Sequence, residues 1–182
     1  MLAGAVAAPS HAYLFVGPEH TGKATAALAL AQALNCTEGD GCGACRECRA
    51  IASSNHPDVR VWELPEGEKT FKVEQVRALI AAVAYQPYQG RRKVHVLAAF
   101  DAIQAAGANA LLKTLEEPPG ETTLVLLARS LESVLPTIAS RCQIVPFGLA
   151  PEGAILETLR RHVPLPDDAL SVIARRSQGR MG

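Results

Sequence analysis

Strong charge of either sign is missing from this sequence. Lysine plus arginine and aspartate plus glutamate both number 18, so the formal net charge is zero. That excludes a strongly basic domain held to nucleic acid by phosphate attraction along its whole surface, although a local basic patch stays compatible with it. Long apolar runs are also missing, and none approaches the roughly 20 residues of a membrane-spanning helix. The stretch MLAGAVAAPSHAYLFVG lacks the basic n-region of a secretory signal, so the expected location is the cytoplasm. No internal repeat and no low-complexity segment appears. What is present is ordinary: 182 residues, 48% apolar and 20% charged. That length buries a real core and suits one domain plus a fragment of another.

The pattern of elements alternates. AYLFV (12–16) is a short apolar run ending at a glycine, as a buried strand does. GKATAALALAQAL follows and reads as a helix, rich in alanine and leucine. DVRVWEL alternates like a strand, and TFKVEQVRALIAAVAYQ sets Val73, Val76, Leu79, Ile80 and Val83 on one helical face. VHVLAAF, TTLVLLAR and CQIVPFG are further strand candidates. AIQAAGANALLKTLEEPP is a helix stopped by Pro118 and Pro119, and ESVLPTIASR is a short one. Repeated β–α units with apolar strands predict an α/β fold, a parallel sheet flanked by helices on both faces. After LAPEG the pattern turns helical only, which places a domain boundary near residue 149.

The stretch between the first strand and helix, GPEHTGKAT, is nearly a phosphate-binding loop. Gly17, Gly22 and Lys23 fit the pattern of glycine, four residues, then Gly-Lys. The next position requires a hydroxyl for Mg²⁺ and carries Ala24. Thr25 lies one helical step on, about 100° around the axis. His20 stands where many such loops have another glycine. A hydrolysing site also needs an acidic pair at the end of a neighbouring strand to hold the metal and activate water. The corresponding positions after Val96-Leu97 are Ala98 and Ala99, while Asp101 reads as the N-cap of the helix that follows. Nucleotide binding by Gly17, Gly22 and Lys23 is left open, Mg²⁺ is not expected, and neither is intrinsic hydrolysis.

Four of the five cysteines fall in NCTEGDGCGACRECR, as Cys36, Cys42, Cys45 and Cys48. Two successive C-x-x-C units with interspersed glycines can close a tetrahedral site with no open position, which predicts structural zinc. Disulfides and an iron–sulfur cluster are the alternatives, the first disfavoured in a reducing compartment. Cys142 stands apart and reads as an inert buried thiol. The cysteine loop offers only Arg46 and Arg49 as cations and no aromatic residue, so a zinc module that binds DNA directly has little support. Arg91, Arg92 and Lys93 form a basic turn that reads as a solvated loop tip.

The order HAYLFVGPEHTGKAT, four-cysteine loop, HPDV, YQGRRKV, NALLKTLEEPP and Ser140-Arg141-Cys142 resembles the clamp-loader subunits of bacterial DNA polymerase III, members of the AAA+ family. The resemblance covers roughly residues 10–182. It implies an AAA+ P-loop fold over residues 1–148, with a zinc module at about 36–48, and the start of a helical lid domain over 149–182. The family's third domain, the collar that joins five subunits, is expected to be absent, so the chain alone is expected to be a monomer. Ala24, Ala98 and Ala99 depart from the tau/gamma motor subunits and match the branch that keeps the fold without hydrolysing ATP. The implied partners are the tau/gamma and delta subunits, and through them the sliding clamp and primer-template DNA.

The resemblance also assigns Arg141 as an arginine finger, with Ser140 and Cys142 of its motif, reaching nucleotide held by a neighbouring subunit. A guanidinium supplied in trans stabilises charge on the γ-phosphate and is worth roughly 10³–10⁵ in rate. From its spacing alone Arg141 reads as a cap on the preceding helix. Ala128 takes the place of a polar nucleotide sensor, Arg180 the place of a second sensor in the lid, and Glu116 and Glu117 suit a solvated or interface role. The alternative function is an ATP-hydrolysing tau/gamma-type motor subunit or another P-loop NTPase.

Overall fold

The computed structural model describes residues 8–181, so the outermost parts of the expected domain spans, residues 1–7 and 182, lie outside it. Five strands, β1 (Ala12–Val16), β2 (Val59–Trp62), β3 (Lys93–Leu97), β4 (Thr122–Ala128) and β5 (Gln143–Pro146), form one sheet in the order β2-β3-β4-β1-β5. Every pairing is parallel. β4 is buried along its whole length, as a parallel strand covered on both faces must be.

Strand alternation divides the core in two. Tyr13 and Phe15 of β1, with Val94, Val96, Val125 and Leu127, face Ala27, Leu30, Ala31 and Leu34 of helix α1 (Lys23–Asn35) and Ile51 of α2 (Arg46–Ala52). Ala12 and Leu14, with Leu97, Leu124 and Leu126, face the opposite side. There they meet Val76, Leu79 and Val83 of α3 (Val73–Val83), Leu111 and Leu115 of α4 (Ala105–Glu116) and Ile138 of α5 (Pro136–Ala139). The result is three layers with the sheet in the middle, as the apolar strand pattern requires.

Two expectations are corrected. Asp101 does not cap α4, which starts at Ala105 after Gln104. Instead Asp101 sits in a short 3-10 turn, Phe100–Ala102, whose Phe100 is buried. The stretch ESVLPTIASR is helical only over the four residues of α5, because Pro136 fixes the first helical position and cannot donate to a preceding turn. Beyond β5, α6 (Glu152–His162) and α7 (Asp167–Arg176) pack on each other, burying Ile155, Leu170 and Ala174. Among the described residues no helix is long and apolar enough to cross a membrane.

Candidate functional site

The glycine loop leaves β1 as the pattern requires. Gly17 passes so close to the chain after β5 that a Cβ there would lie 2.0 Å from the Phe147 carbonyl oxygen, so only glycine fits. Gly22 takes a left-handed φ of 86° where α1 begins, and His20 takes one of 62°. That conformation is easy for glycine and costs other residues about 1–2 kcal/mol. The Lys23 ammonium is folded onto its own loop, donating to the Gly17 and Pro18 carbonyls at 2.6 Å each. Burial lowers its pKa, an effect partly offset by Asp101 and Glu19.

Beside this loop lies a cleft of about 470 Å³ lined by Glu19, His20, Gly22, Lys23, Ala24, Thr25, Ala98 and Leu127. Ala24 and Ala98 line it with methyl groups, where metal coordination would need a hydroxyl and a carboxylate. A second space of about 190 Å³ adjoins Ala98, Ala99, Ala128, Asp101 and Arg129. Arg129 bridges Asp101 at 2.7 Å and Glu19 at 3.5 Å, tying the phosphate-type loop to the segment after β3. Sequence reasoning missed Arg129. The available signal was its place directly after Ala128, at the strand end where a sensor would sit. Arg180 is exposed in the described chain, while the neighbouring Met181 N–H donates to the His20 carbonyl at 2.7 Å.

The four cysteines converge. Their sulfurs all lie within 4.8 Å of one another, with Cys36 and Cys45 at 4.0 Å. A tetrahedral zinc–thiolate site needs sulfurs about 3.8 Å apart, from bonds of about 2.3 Å, so the set fits a metal ion with little movement. Backbone N–H groups already point at sulfur: Cys42 N donates to Cys36 Sγ, Cys45 N to Cys42 Sγ, and Cys48 N to Cys45 Sγ. Such donors favour thiolate. The Cys42 amide does most to lower Cys36 to about 5, and the Cys48 amide does most to lower Cys45 to about 7. Burial raises Cys48 to about 12, the state a bound cation would reverse. None of the five cysteines is in a disulfide. Cys142 is pushed up to about 12 by burial, in keeping with an inert thiol.

The cluster is tied into the fold. Cys45 caps α2, whose Glu47 meets His56 at 2.8 Å and Gln89 at 2.9 Å. Two residues beyond His56, the buried Asp58 carboxylate accepts the N–H groups of Tyr88, Gln89 and Gly90, each at 2.7 Å. Burial works against that carboxylate, yet the three amides hold its pKa below the ordinary value. The basic turn is likewise engaged in part: Arg92 pairs with Glu121 at 3.0 Å and Lys93 donates to the Ala82 carbonyl at 3.1 Å.

Arg141 lies just after α5, away from the glycine loop of its own chain in sequence and held by different elements. Its Nε donates to Glu116 at 2.9 Å, and its Nη1 donates to the Thr137 carbonyl at 2.8 Å. The reading of Arg141 as a helix cap is therefore satisfied by geometry, and Glu116 is revealed as its ion-pair partner.

A parallel sheet in this order, with a glycine loop after β1, is the AAA+ arrangement. A gamma subunit-related protein of DNA polymerase III from Thermotoga maritima matches with a TM-score of 0.65 at 21% identity, over 98% of this chain and 57% of that one. RuvB from Thermotoga maritima matches with a TM-score of 0.64 at 20% identity, over 99% of this chain and 55% of that one. These likenesses carry the fold alone.

Sequence likeness is more specific. The family model described as DNA polymerase III, delta subunit, matches residues 5–150. The DNA polymerase III subunit delta' of Pseudomonas aeruginosa is 41% identical over 180 residues, covering 97% of this chain and 55% of that protein. The Bacillus subtilis delta' subunit is 41% identical over 140 residues, covering 76% and 42%. The gamma/tau subunit of Mycobacterium tuberculosis is 37% identical over 155 residues, covering 84% and 27%. The chain belongs to the delta-prime family of DNA polymerase III subunits. It spans about half the length of the delta' relatives it matches.

Proposed function

We propose that this chain acts as the non-hydrolysing delta-prime subunit of the DNA polymerase III clamp loader, the assembly that uses ATP to place a sliding clamp on primed DNA. The observation that carries the reading is the triple loss around the glycine loop: Ala24 in place of the metal-binding hydroxyl, and Ala98 and Ala99 in place of the acidic pair. The folded-back Lys23 and the Glu19–Arg129–Asp101 bridge agree with a site that is complete without Mg²⁺. The loss of each catalytic group costs orders of magnitude, so the three together leave no useful turnover. Residual nucleotide binding by Gly17, Gly22 and Lys23 would be without chemistry.

In this reading Arg141 works on nucleotide held by a neighbouring tau/gamma subunit, with Ser140 and Cys142 fixing its place in the motif. Its guanidinium is permanently charged and donates to a phosphate oxygen, which suits charge that develops outside its own chain. The delta subunit, the clamp and primer-template DNA are partners through the assembly. Cys36, Cys42, Cys45 and Cys48 hold structural zinc, since four protein ligands leave no coordination position for water or substrate. Residues 149–182 begin the lid domain.

ATP turnover by the purified protein, with Lys23→Ala alongside, tests the non-hydrolysing assignment. No turnover is expected from either. Turnover that disappears in Lys23→Ala contradicts it and favours the motor-subunit alternative.

A further inference from the structure

We propose that Glu116 is a positioning residue for Arg141: it sets the guanidinium in one orientation in advance of an anion supplied from outside the chain. This rests on the reading of Arg141 as a donor to a neighbour's phosphate. Both Nε and Nη2 of Arg141 converge on a single Glu116 carboxylate oxygen, Nε at 2.9 Å. On the far side Nη1 donates to the Thr137 carbonyl at 2.8 Å and reaches Ser140 Oγ at 3.3 Å. These contacts engage four of the five guanidinium N–H groups, and the fifth, on Nη2, has no partner among the described residues. The side chain is 34% exposed, so an incoming phosphate oxygen can reach it.

The two halves of this clamp come from elements anchored in the same core. Glu116 ends α4, directly after the buried Leu115, and Pro118 and Pro119 stop the helix there. Thr137 belongs to α5, whose Ile138 is fully buried. An arginine otherwise free to sample many rotamers is thus held before any partner arrives, and the ordering cost of binding falls. The ion pair itself is half-exposed at Glu116, so its contribution to folding is small. A purely structural pair would therefore be nearly silent, whereas a positioning pair affects rate.

The test uses the complete subunit in a reconstituted clamp loader, with clamp and primed DNA present, and reads kcat and KM for ATP. Glu116→Ala is expected to lower kcat by about threefold to tenfold with KM unchanged, the size set by loosening one long side chain. Glu116→Gln keeps an oxygen acceptor at the same place and is expected to recover most of the loss. In an Arg141→Ala background, Glu116→Ala should have no further effect. Melting temperatures of the variants should agree within about 2 °C, as for a surface pair. An unchanged or raised kcat in Glu116→Ala, while Arg141→Ala lowers it, overturns the positioning role and leaves the reading of Arg141 intact. An equal loss in the Arg141→Ala background overturns it too, since Glu116 would then act elsewhere. If Arg141→Ala itself has no effect, the underlying reading fails and this proposal fails with it.

Discussion

Methyl groups of Ala24 and Ala98 line the cleft beside the glycine loop. The positions of Ala24, Ala98 and Ala99 were picked out by the spacing of the phosphate-loop pattern and that of Ala128 by the family resemblance, and all four line the cleft or the space beside it. Arg129 was not readable. Its two partners, Glu19 and Asp101, are 110 and 28 positions away, and only the sheet order brings them together. Glu116 and Arg141 are separated by 25 residues and meet for the same reason. His95 is another residue whose behaviour depends on the fold. It is buried on β3, its Nδ1 accepts from Trp62 Nε1 at 3.1 Å, and burial lowers its pKa to about 4. The unfolded chain protonates it near pH 6.5. The stability linked to its neutral form is therefore complete above about pH 6.5 and is lost as pH falls toward 4, on the order of 3 kcal/mol in all. Denaturant unfolding from pH 7 to 4 should show that slope in the natural protein and a flatter one in His95→Gln. Parallel slopes would contradict the assignment.

Among the elements, β1, β3, β4 and β5 were legible as short apolar runs and β2 by its alternation, while α1 showed in its alanine and leucine content, α3 in apolar positions at helical spacing and α4 in its proline stop. Helix α2 was hidden inside the cysteine loop, because four of its seven residues are charged or cysteine and its cap is Cys45. That helix gives the cysteine cluster a reach beyond its own loop. Through Glu47, His56 and Gln89 it touches the segment whose amides Asp58 gathers, and Tyr88 stands 87% exposed at the tip. With zinc in the cysteine site as proposed above, its removal by a chelator should let α2 fray and speed hydrogen exchange at Tyr88, Gln89 and Gly90 by about tenfold, while β4 amides keep their protection. Unchanged exchange at those three amides would mean that Asp58 holds the segment without help from the cysteines.

For the whole molecule, the three-layer sheet keeps its packing separate from the glycine-loop cleft. The core residues of both faces, from Phe15 and Leu30 to Leu111 and Ile138, have no part in phosphate chemistry, so alanines at the cleft leave packing intact. The bridge from Arg129 to Glu19 and the Met181–His20 backbone bond span the cleft region within the chain itself. In the function proposed above, the surface bearing Arg141 meets the partners, and this residue acts on a neighbour's nucleotide. The most direct test is the ATPase rate of a reconstituted clamp loader carrying Arg141→Ala in the complete subunit, with assembly checked by gel filtration. The expected result is normal assembly and a clamp- and DNA-stimulated rate at least about tenfold lower, as for loss of an arginine finger. Normal assembly with an unchanged rate would show that Arg141 only secures the end of α5.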